Sequence, residues 1–362
     1  MESLNPMFNS KHSKPSFITI GEIMLRLTPP DFRKIRMANT FEVSYGGSEA
    51  NIALSLANLG IDSTFFSVVP DNSLGKSSVR WLRSNDVHCS PVILSSEQET
   101  PSERLGVYYY EAGFGIRAGK VIYDRKHSAI TEYDFSDYDL KALLSQYNWL
   151  HLSGITPPLS ASCGDLVLEA IKTAKELGMV VSFDGNYREA LWSWEEARNY
   201  CTKLLPYVDV LFGIEPYHLF KDPEDPSKGD WKDAIPRQPS REEQEFVFKK
   251  FVEAYPNIQV IARHVRYTHS GSENSLMAYM WYQGQTYESK LLRFNILDRI
   301  GGGDAFASGI MYGLMKNYSP LDTLNFGVAI SAIKHTLHGD GNITDDLTSI
   351  HDLMDMKYDV KR

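Results

Sequence analysis

Between residues 137 and 212 the chain alternates with a regularity that few folds can accommodate. Apolar runs of strand length at 149–154, 179–183 and 208–212 are separated by helix-type segments at 137–147, 162–177 and 194–205. In the second of those segments Leu166, Val167, Ala170, Ile171, Ala174 and Leu177 recur at helical spacing and make one apolar face. Continuously apolar strands joined by amphipathic helices pack as a mostly parallel sheet covered by helices on both sides. The expected class is therefore α/β, and 362 residues allow one large domain or two smaller ones.

The rest of the chain adds to this frame. Extended runs are expected at 17–27 and 41–45. Ser48 stands where it can cap a helix over 49–59 that Gly60 stops. A strand at 64–69 and a short helix near 77–83 follow. Two β-rich runs, 104–110 and 119–123, read as a hairpin standing beside the main sheet. Proline and charge make 221–239 a surface excursion. Beyond it come a helix over 241–254, strands at 260–264, 275–282 and 286–290, and helices over 304–316, 321–337 and 345–354, the last capped by Thr344. Residues 1–16 are polar, without the apolar core of a signal peptide, and read as a loose tail. A net charge of −9 argues against a nucleic-acid binder, and no apolar run reaches membrane-spanning length. Three scattered cysteines suggest neither a disulfide framework nor a zinc site, so a cytoplasmic location is expected.

One stretch concentrates the chemistry. Asp298-Arg299-Ile300-Gly301-Gly302-Gly303-Asp304 joins an extended run to a helix in which Phe306, Ile310 and Leu314 share a face. Glycines at a helix start let an anion approach the backbone N–H groups and the positive end of the helix dipole. Asp304 would repel a phosphate held there, unless it serves to take a proton from a hydroxyl that attacks the phosphorus. A plain capped helix after a flexible turn is the other reading of these residues.

Further motifs divide into decoys and candidates. Pro70 to Ser77 nearly matches a P-loop, but Pro70 replaces the first glycine and removes a backbone donor. Gly113-Phe114-Gly115-Ile116-Arg117-Ala118 matches the dinucleotide pattern G-x-G-x-x-A, yet another β-type run follows where a helix is needed. Gly46-Gly47-Ser48-Glu49-Ala50-Asn51 is a second strand–glycine–helix junction that could bring backbone and the Asn51 amide to a polar ligand. Asp184-Gly185-Asn186-Tyr187-Arg188 follows a central strand at the edge where open α/β sheets bind ligands. Arg125 and Arg188 could together hold an anionic group, either carboxylate or phosphate.

Taken as a set, Gly46-Gly47 with Asn51 and Gly60, then Asp71 and Gly75, resemble the first signature of the ribokinase-like (PfkB-type) carbohydrate kinases. Asp298 through Asp304 resembles their second signature, and the hairpin resembles their β-sheet lid. The likeness runs from about Phe17 to about Met354. Within the family, the Gly21-Glu22-Ile23-Met24-Leu25-Arg26-Leu27 opening, Tyr123-x-Arg125 and Asp184-x-Asn186-x-Arg188 look most like the 2-keto-3-deoxygluconate kinases.

The resemblance implies a three-layer α/β/α sandwich over residues 17–362, with lid strands from about 22–45 and 100–125. It implies ATP and Mg²⁺ as cofactors, Asp304 as the base, and Gly301, Gly302 and Gly303 as the anion hole. Substrate contacts would come from Gly46, Gly47, Asn51, Tyr108, Tyr123, Arg125, Asn186 and Arg188, with the arginines on a C1 carboxylate. Nucleotide contacts would come from Arg266, Gly271, Gly301, Gly303 and His335, a metal contact from Glu215, and the assembly would be a homodimer or higher homo-oligomer. Three departures stand out: Arg299-Ile300 where small or hydroxylated residues are common, Gly302 for an alanine, and Ile214 and Tyr217 at the defining positions of an Asn-x-x-Glu element. A kinase for a neutral sugar and a non-catalytic sugar binder of the same fold remain open alternatives.

Overall fold

The computed structural model describes residues 15–99, 101–217, 238–344 and 346–357; the tail through residue 14 and most of the 221–239 excursion lie outside them. In chain order the first half contains β1 (Ser16–Ile20), β2 (Met24–Thr28), β3 (Glu42–Gly46), α1 (Ser48–Asn58), β4 (Asp62–Phe66), β5 (Val68–Val69), α2 (Ser73–Arg83), β6 (Ile93–Leu94), β7 (Val107–Glu111), β8 (Lys120–Asp124), α3 (Ala129–Glu132), α4 (Leu140–Leu144) and β9 (Trp149–Ser153). The second half contains α5 (Ala161–Glu176), β10 (Val180–Asp184), α6 (Trp194–Cys201), β11 (Val210–Phe212), α7 (Arg241–Ala254), β12 (Val260–Thr268), β13 (Glu273–Tyr282), β14 (Gln285–Glu288), β15 (Leu292–Asn295), α8 (Gly302–Met315), α9 (Pro320–Lys334) and α10 (Leu347–Met354).

Nine strands form the main sheet in the order β14-β13-β12-β11-β10-β9-β1-β4, with β15 also on β13. The run from β4 to β12 is parallel, and the β12–β15 end is antiparallel. Alternation along each strand sorts its side chains into two layers. Ile18, Leu150, Leu152, Val181, Phe183, Leu211 and Ile261 pack with α5 and α7. Their strand neighbours Phe17, Trp149, Val180, Val210, Phe212 and Val260 pack on the other side with α8 and α9. The sequence-level expectation of helices on both faces thus has a direct residue-by-residue counterpart.

A second sheet, β3-β2-β7-β8, stands apart. The apolar run 17–27, read as one strand from sequence, is broken at Gly21–Ile23 and feeds both sheets. The break is where Glu22, almost fully buried, accepts from Arg125 Nε at 2.7 Å and from Ser128 Oγ at 2.6 Å. Periodicity cannot register such a change of sheet. Other helix bounds also moved. The 137–147 segment is helical only over Leu140–Leu144, capped by Asp139, and α10 is capped by Asp346 rather than Thr344.

The near P-loop is an ordinary capped helix: Asn72 accepts from the Leu74 and Gly75 N–H groups, and Lys76 pairs with Asp71. The G-x-G-x-x-A match is the tip of the small sheet, where Phe114 and Arg117 exchange both backbone hydrogen bonds. Among the described residues no helix is long and apolar enough to cross a membrane.

Helix α7 follows the excursion, so its place in the core is a test of the layer assignment. Phe248 is fully buried there. Phe248→Ala should lower stability by about 3–5 kcal/mol in a urea titration; a change under ~1 kcal/mol would mean that α7 does not cover the sheet.

Candidate active site

Two helix starts face one another. Asp304 lies in the first turn of α8, Ser48 and Asn51 in the first turn of α1. The Asp304 carboxylate accepts from Ser48 Oγ at 2.8 Å on one oxygen and from Asn51 Nδ2 at 2.7 Å on the other. Sequence reading gave Ser48 the task of capping α1. Instead Gly47 occupies the cap position, without a side-chain cap, and the Ser48 hydroxyl is released to Asp304. That hydroxyl also accepts from Asn186 Nδ2 at 2.9 Å, and Asn186 N donates to Asp184 Oδ1 at 2.9 Å. Asp184, Asn186, Ser48 and Asp304 therefore form one connected chain across three elements. Ser48 and Asp184 lie inside two of the stretches picked out from sequence, but neither was given a ligand role there; the helix-start position of one and the strand-end position of the other were the available signals.

Burial pushes the Asp304 carboxyl above the ordinary carboxylate range, while the Asn51 and Ser48 hydrogen bonds pull it back. Asp184 is pushed up to about 7 by burial and next by the charge of Asp304. Two carboxyls that feel each other in a secluded site are unlike a structural surface pair.

The glycine turn is built to leave donors free. Gly301, at φ 80, holds the left-handed cap position of α8, and a Cβ there would meet the Asp340 carbonyl at 1.9 Å. A Cβ on Gly302 would strike the His335 ring at 2.3 Å. Gly303 differs: its nearest neighbour is His264 at 3.7 Å, so the protein itself leaves room there. With no side-chain cap on α8, helix geometry leaves the N–H groups of Gly302, Gly303 and Asp304 without an intrahelical acceptor. Free N–H groups, a positive helix end and open space make an anion site.

Behind the turn lies a buried ionic network. Arg26 of β2 donates to Asp298 Oδ2 and to Asp340 Oδ1, each at 2.5 Å, and its partners are also almost fully buried. Asp298 further accepts from Ile300 N at 3.1 Å and Gly339 N at 3.0 Å. Burial works against the Arg26 charge, but Asp340 and Asp298 outweigh it and hold the guanidinium firmly protonated. Tyr108 donates its hydroxyl to Asp340. This corrects its expected place in the sugar site: Tyr108 is buried and committed to the network. That expectation came from the resemblance alone, which does not say what the Tyr108 hydroxyl meets in this chain.

Arg125 also departs from the expected clamp. It is buried and paired with Glu22, whereas Arg188 is exposed and donates to the Tyr187 carbonyl at 2.9 Å. Tyr123 is brought between them, half exposed, with the Arg125 guanidinium 5.8 Å from its ring and the Arg188 charge acting on its hydroxyl. Gly46 lies against the Asp340 carboxylate and Gly47 against the Glu22 carbonyl, so both allow backbone to pass closely.

On the far side of Gly303 stand Arg266, His264 and His335. Burial lowers the Arg266 value, with Arg299 and Arg188 as the next causes, so the three guanidinium groups share one region. Burial holds His264 down to about 3 and His335 down to about 4, and both are neutral at pH 7. Gly271 sits in the β12–β13 turn, where its N–H donates to the Gly115 carbonyl at 2.6 Å and Ser272 Oγ accepts from Gly115 N at 2.8 Å. It thus fastens the tip of the small sheet. Glu215 is half exposed, 3.8 Å from Arg263, and its carbonyl abuts Gly185. No group of three His, Cys, Asp or Glu side chains among the described residues could hold a metal ion. Ile214 and Tyr217, which replace the two polar positions beside Glu215, are fully buried, so this element packs the core.

Similarity to known proteins fits this geometry. The family model for pfkB family carbohydrate kinase matches residues 14–216 and 239–347. The 2-dehydro-3-deoxygalactonokinase of Haloferax volcanii is 32% identical over 324 residues, covering 89% of this chain and 92% of that protein. A 5-dehydro-2-deoxygluconokinase of Clostridium beijerinckii is 28% identical, covering 91% and 89%. The crystal structure of 2-dehydro-3-deoxygluconokinase from Thermotoga maritima superposes with a TM-score of 0.84 at 33% identity, covering 94% of this chain and 99% of that one. With matching signatures at both ends of the chain and this fold between them, the protein belongs to the pfkB family of carbohydrate kinases.

Proposed function

We propose that the chain transfers the terminal phosphoryl group of ATP to the terminal (C6) hydroxyl of 2-keto-3-deoxygluconate or a close keto-deoxy sugar acid. The observation that carries this reading is Asp304: a secluded carboxylate, oriented by Ser48 and Asn51, beside unsatisfied N–H groups and open space at Gly303. Three of the relatives are named as kinases of keto-deoxy sugars, which supports that substrate class, while another carries the name of a 6-phosphofructokinase.

Asp304 takes the proton from the sugar hydroxyl as its oxygen attacks the terminal phosphorus. The bond from that phosphorus to the bridging oxygen breaks, ADP leaves, and the proton on Asp304 passes to solvent. The N–H groups of Gly302, Gly303 and Asp304 face the charge that develops on the transferring group. Mg²⁺, held together with the nucleotide phosphates, would neutralise their charge, a role that needs one or two protein carboxylates rather than a full protein cage. Asp184 suits that demand and leaves Asp304 free as the base, because burial and the nearby charge of Asp304 burden Asp184 and a cation would relieve it. Glu215, half exposed and near Arg263, is the weaker candidate.

On the sugar side we place Asn51, Asn186, Tyr123 and Arg188, with Arg188 meeting the acid group. A neutral-sugar kinase is the second reading, favoured by one observation: Arg125 is already paired with Glu22, so one guanidinium rather than two is open to a carboxylate. Along one face of the small sheet Val43, Leu27, Tyr109 and Ile122 lie opposite one another across the strands, with Val43 60% and Ile122 42% exposed. We assign that face to a second copy of this chain, to be checked by sedimentation.

An ATP-coupled assay over neutral sugars and keto-deoxy acids tests the reading directly; preference for a neutral hexose would end it. Asp304→Asn should lower kcat by about 10²–10⁴-fold while calorimetry still detects ligand binding. Arg188→Ala should raise KM for the acid by about tenfold or more, and leave KM for a neutral sugar unchanged. Since Asp304 must be ionised to act, kcat/KM falls as pH drops through its raised value. Ser48→Ala removes a hydrogen bond to the charged form, so the acidic limb of the profile should move to higher pH.

A further inference from the structure

Arg266, on β12, and Asn274, on β13, point to the same side of the sheet. Arg266 is paired with Leu276 and Thr268 with Asn274, so alternation puts all four on one face. Leu276 of this group packs into the layer that contains α8. Two buried donors here have no acceptor: Arg266 Nε and Asn274 Nδ2, the latter on a fully buried residue. Arg299 leans over them, its Nη2 at 3.3 Å from Asn274 Oδ1 and 3.4 Å from the Ser270 carbonyl, both long contacts to neutral oxygens. Among the described residues neither Arg266, Arg299 nor Arg188 has a carboxylate within 4.0 Å.

Gathering guanidinium groups without a counter-ion, and burying donors without acceptors, is unfavourable unless a ligand completes the site. The neighbouring histidines add no positive charge at neutral pH, so the arginines alone set the field. We infer that Arg299, with Arg266 and Asn274, seats the non-transferred phosphates of the nucleoside triphosphate, an inference that rests on the kinase reading. Arg299 then binds nucleotide, although it stands where small or hydroxylated residues were expected. A sugar carboxylate offers the same kind of acceptor. The placement favours phosphate, because Arg299 and Arg266 flank the glycine turn whereas Arg188 follows the strand end that carries Asn186.

Calorimetric titration of the full chain with ADP and, separately, with 2-keto-3-deoxygluconate tests the assignment. Arg299→Gln should weaken ADP binding by about tenfold or more and leave the sugar-acid affinity within about twofold. Arg299→Lys, which keeps the charge but loses the planar fork, should fall between. If wild-type protein binds ADP and turns over while Arg299→Gln binds ADP within about twofold of it, the phosphate seat is wrong and the kinase reading stands. A loss confined to the sugar acid would likewise overturn the seat by giving it to the carboxylate. A wild-type chain that binds no ADP and shows no turnover would sink both.

Discussion

The Arg26 guanidinium, shared between Asp298 and Asp340, is the constraint on which the site depends. Its partners lie 272 and 314 residues away along the chain. One of them fixes the start of the glycine turn through the Ile300 and Gly339 N–H groups. The other supplies the carbonyl that Gly301 must pass and the carboxylate that Gly46 lies against. Removing the guanidinium would leave two buried carboxylates without it, which is far more costly than losing a surface ion pair. The glycine turn is thus held from behind by a residue of the small sheet.

That arrangement explains how two glycine junctions so distant in sequence form one site. The main sheet delivers α1 and α8 on the same face, and their first turns meet at Asp304. Converging positive helix ends favour an ionised carboxylate, whereas burial opposes it. Burial has the larger effect, and the Asp304 carboxyl lies above its ordinary value. The small sheet supplies the remaining walls through Tyr123 and its Arg125 support.

What could be read from sequence follows physical range. Helix periodicity is local, and it placed Leu166 and Ile171 on the buried face of α5. The glycine run was legible only in company: alone it read equally as a capped helix after a flexible turn, and the Gly46–Asn51 junction, the hairpin and the Asp184–Arg188 strand end tipped it toward an anion site. Long-range pairings were not legible. Tyr108 and Arg125 carried ligand-type side chains, but their buried partners, Asp340 and Glu22, were settled only by tertiary packing. Ser48 was visible as a helix-start residue, yet whether its hydroxyl served α1 or another element depended on Gly47 taking the cap. Arg299 looked like an oddity by itself and acquires a use only beside Arg266 and Asn274.

The two attachments of the small sheet are unequal. Its root is fixed by buried ion pairs, Arg26 with two aspartates and Arg125 with Glu22, while its tip is tied to the β12–β13 turn by neutral hydrogen bonds at Gly115 and Gly271. Neutral contacts of that kind contribute about 1 kcal/mol each, and parting them strands no charge. Lifting the tip would part neutral hydrogen bonds alone, whereas moving the root would separate buried charges. A displacement of the tip would leave the Asp298 and Asp340 contacts that hold the glycine turn intact.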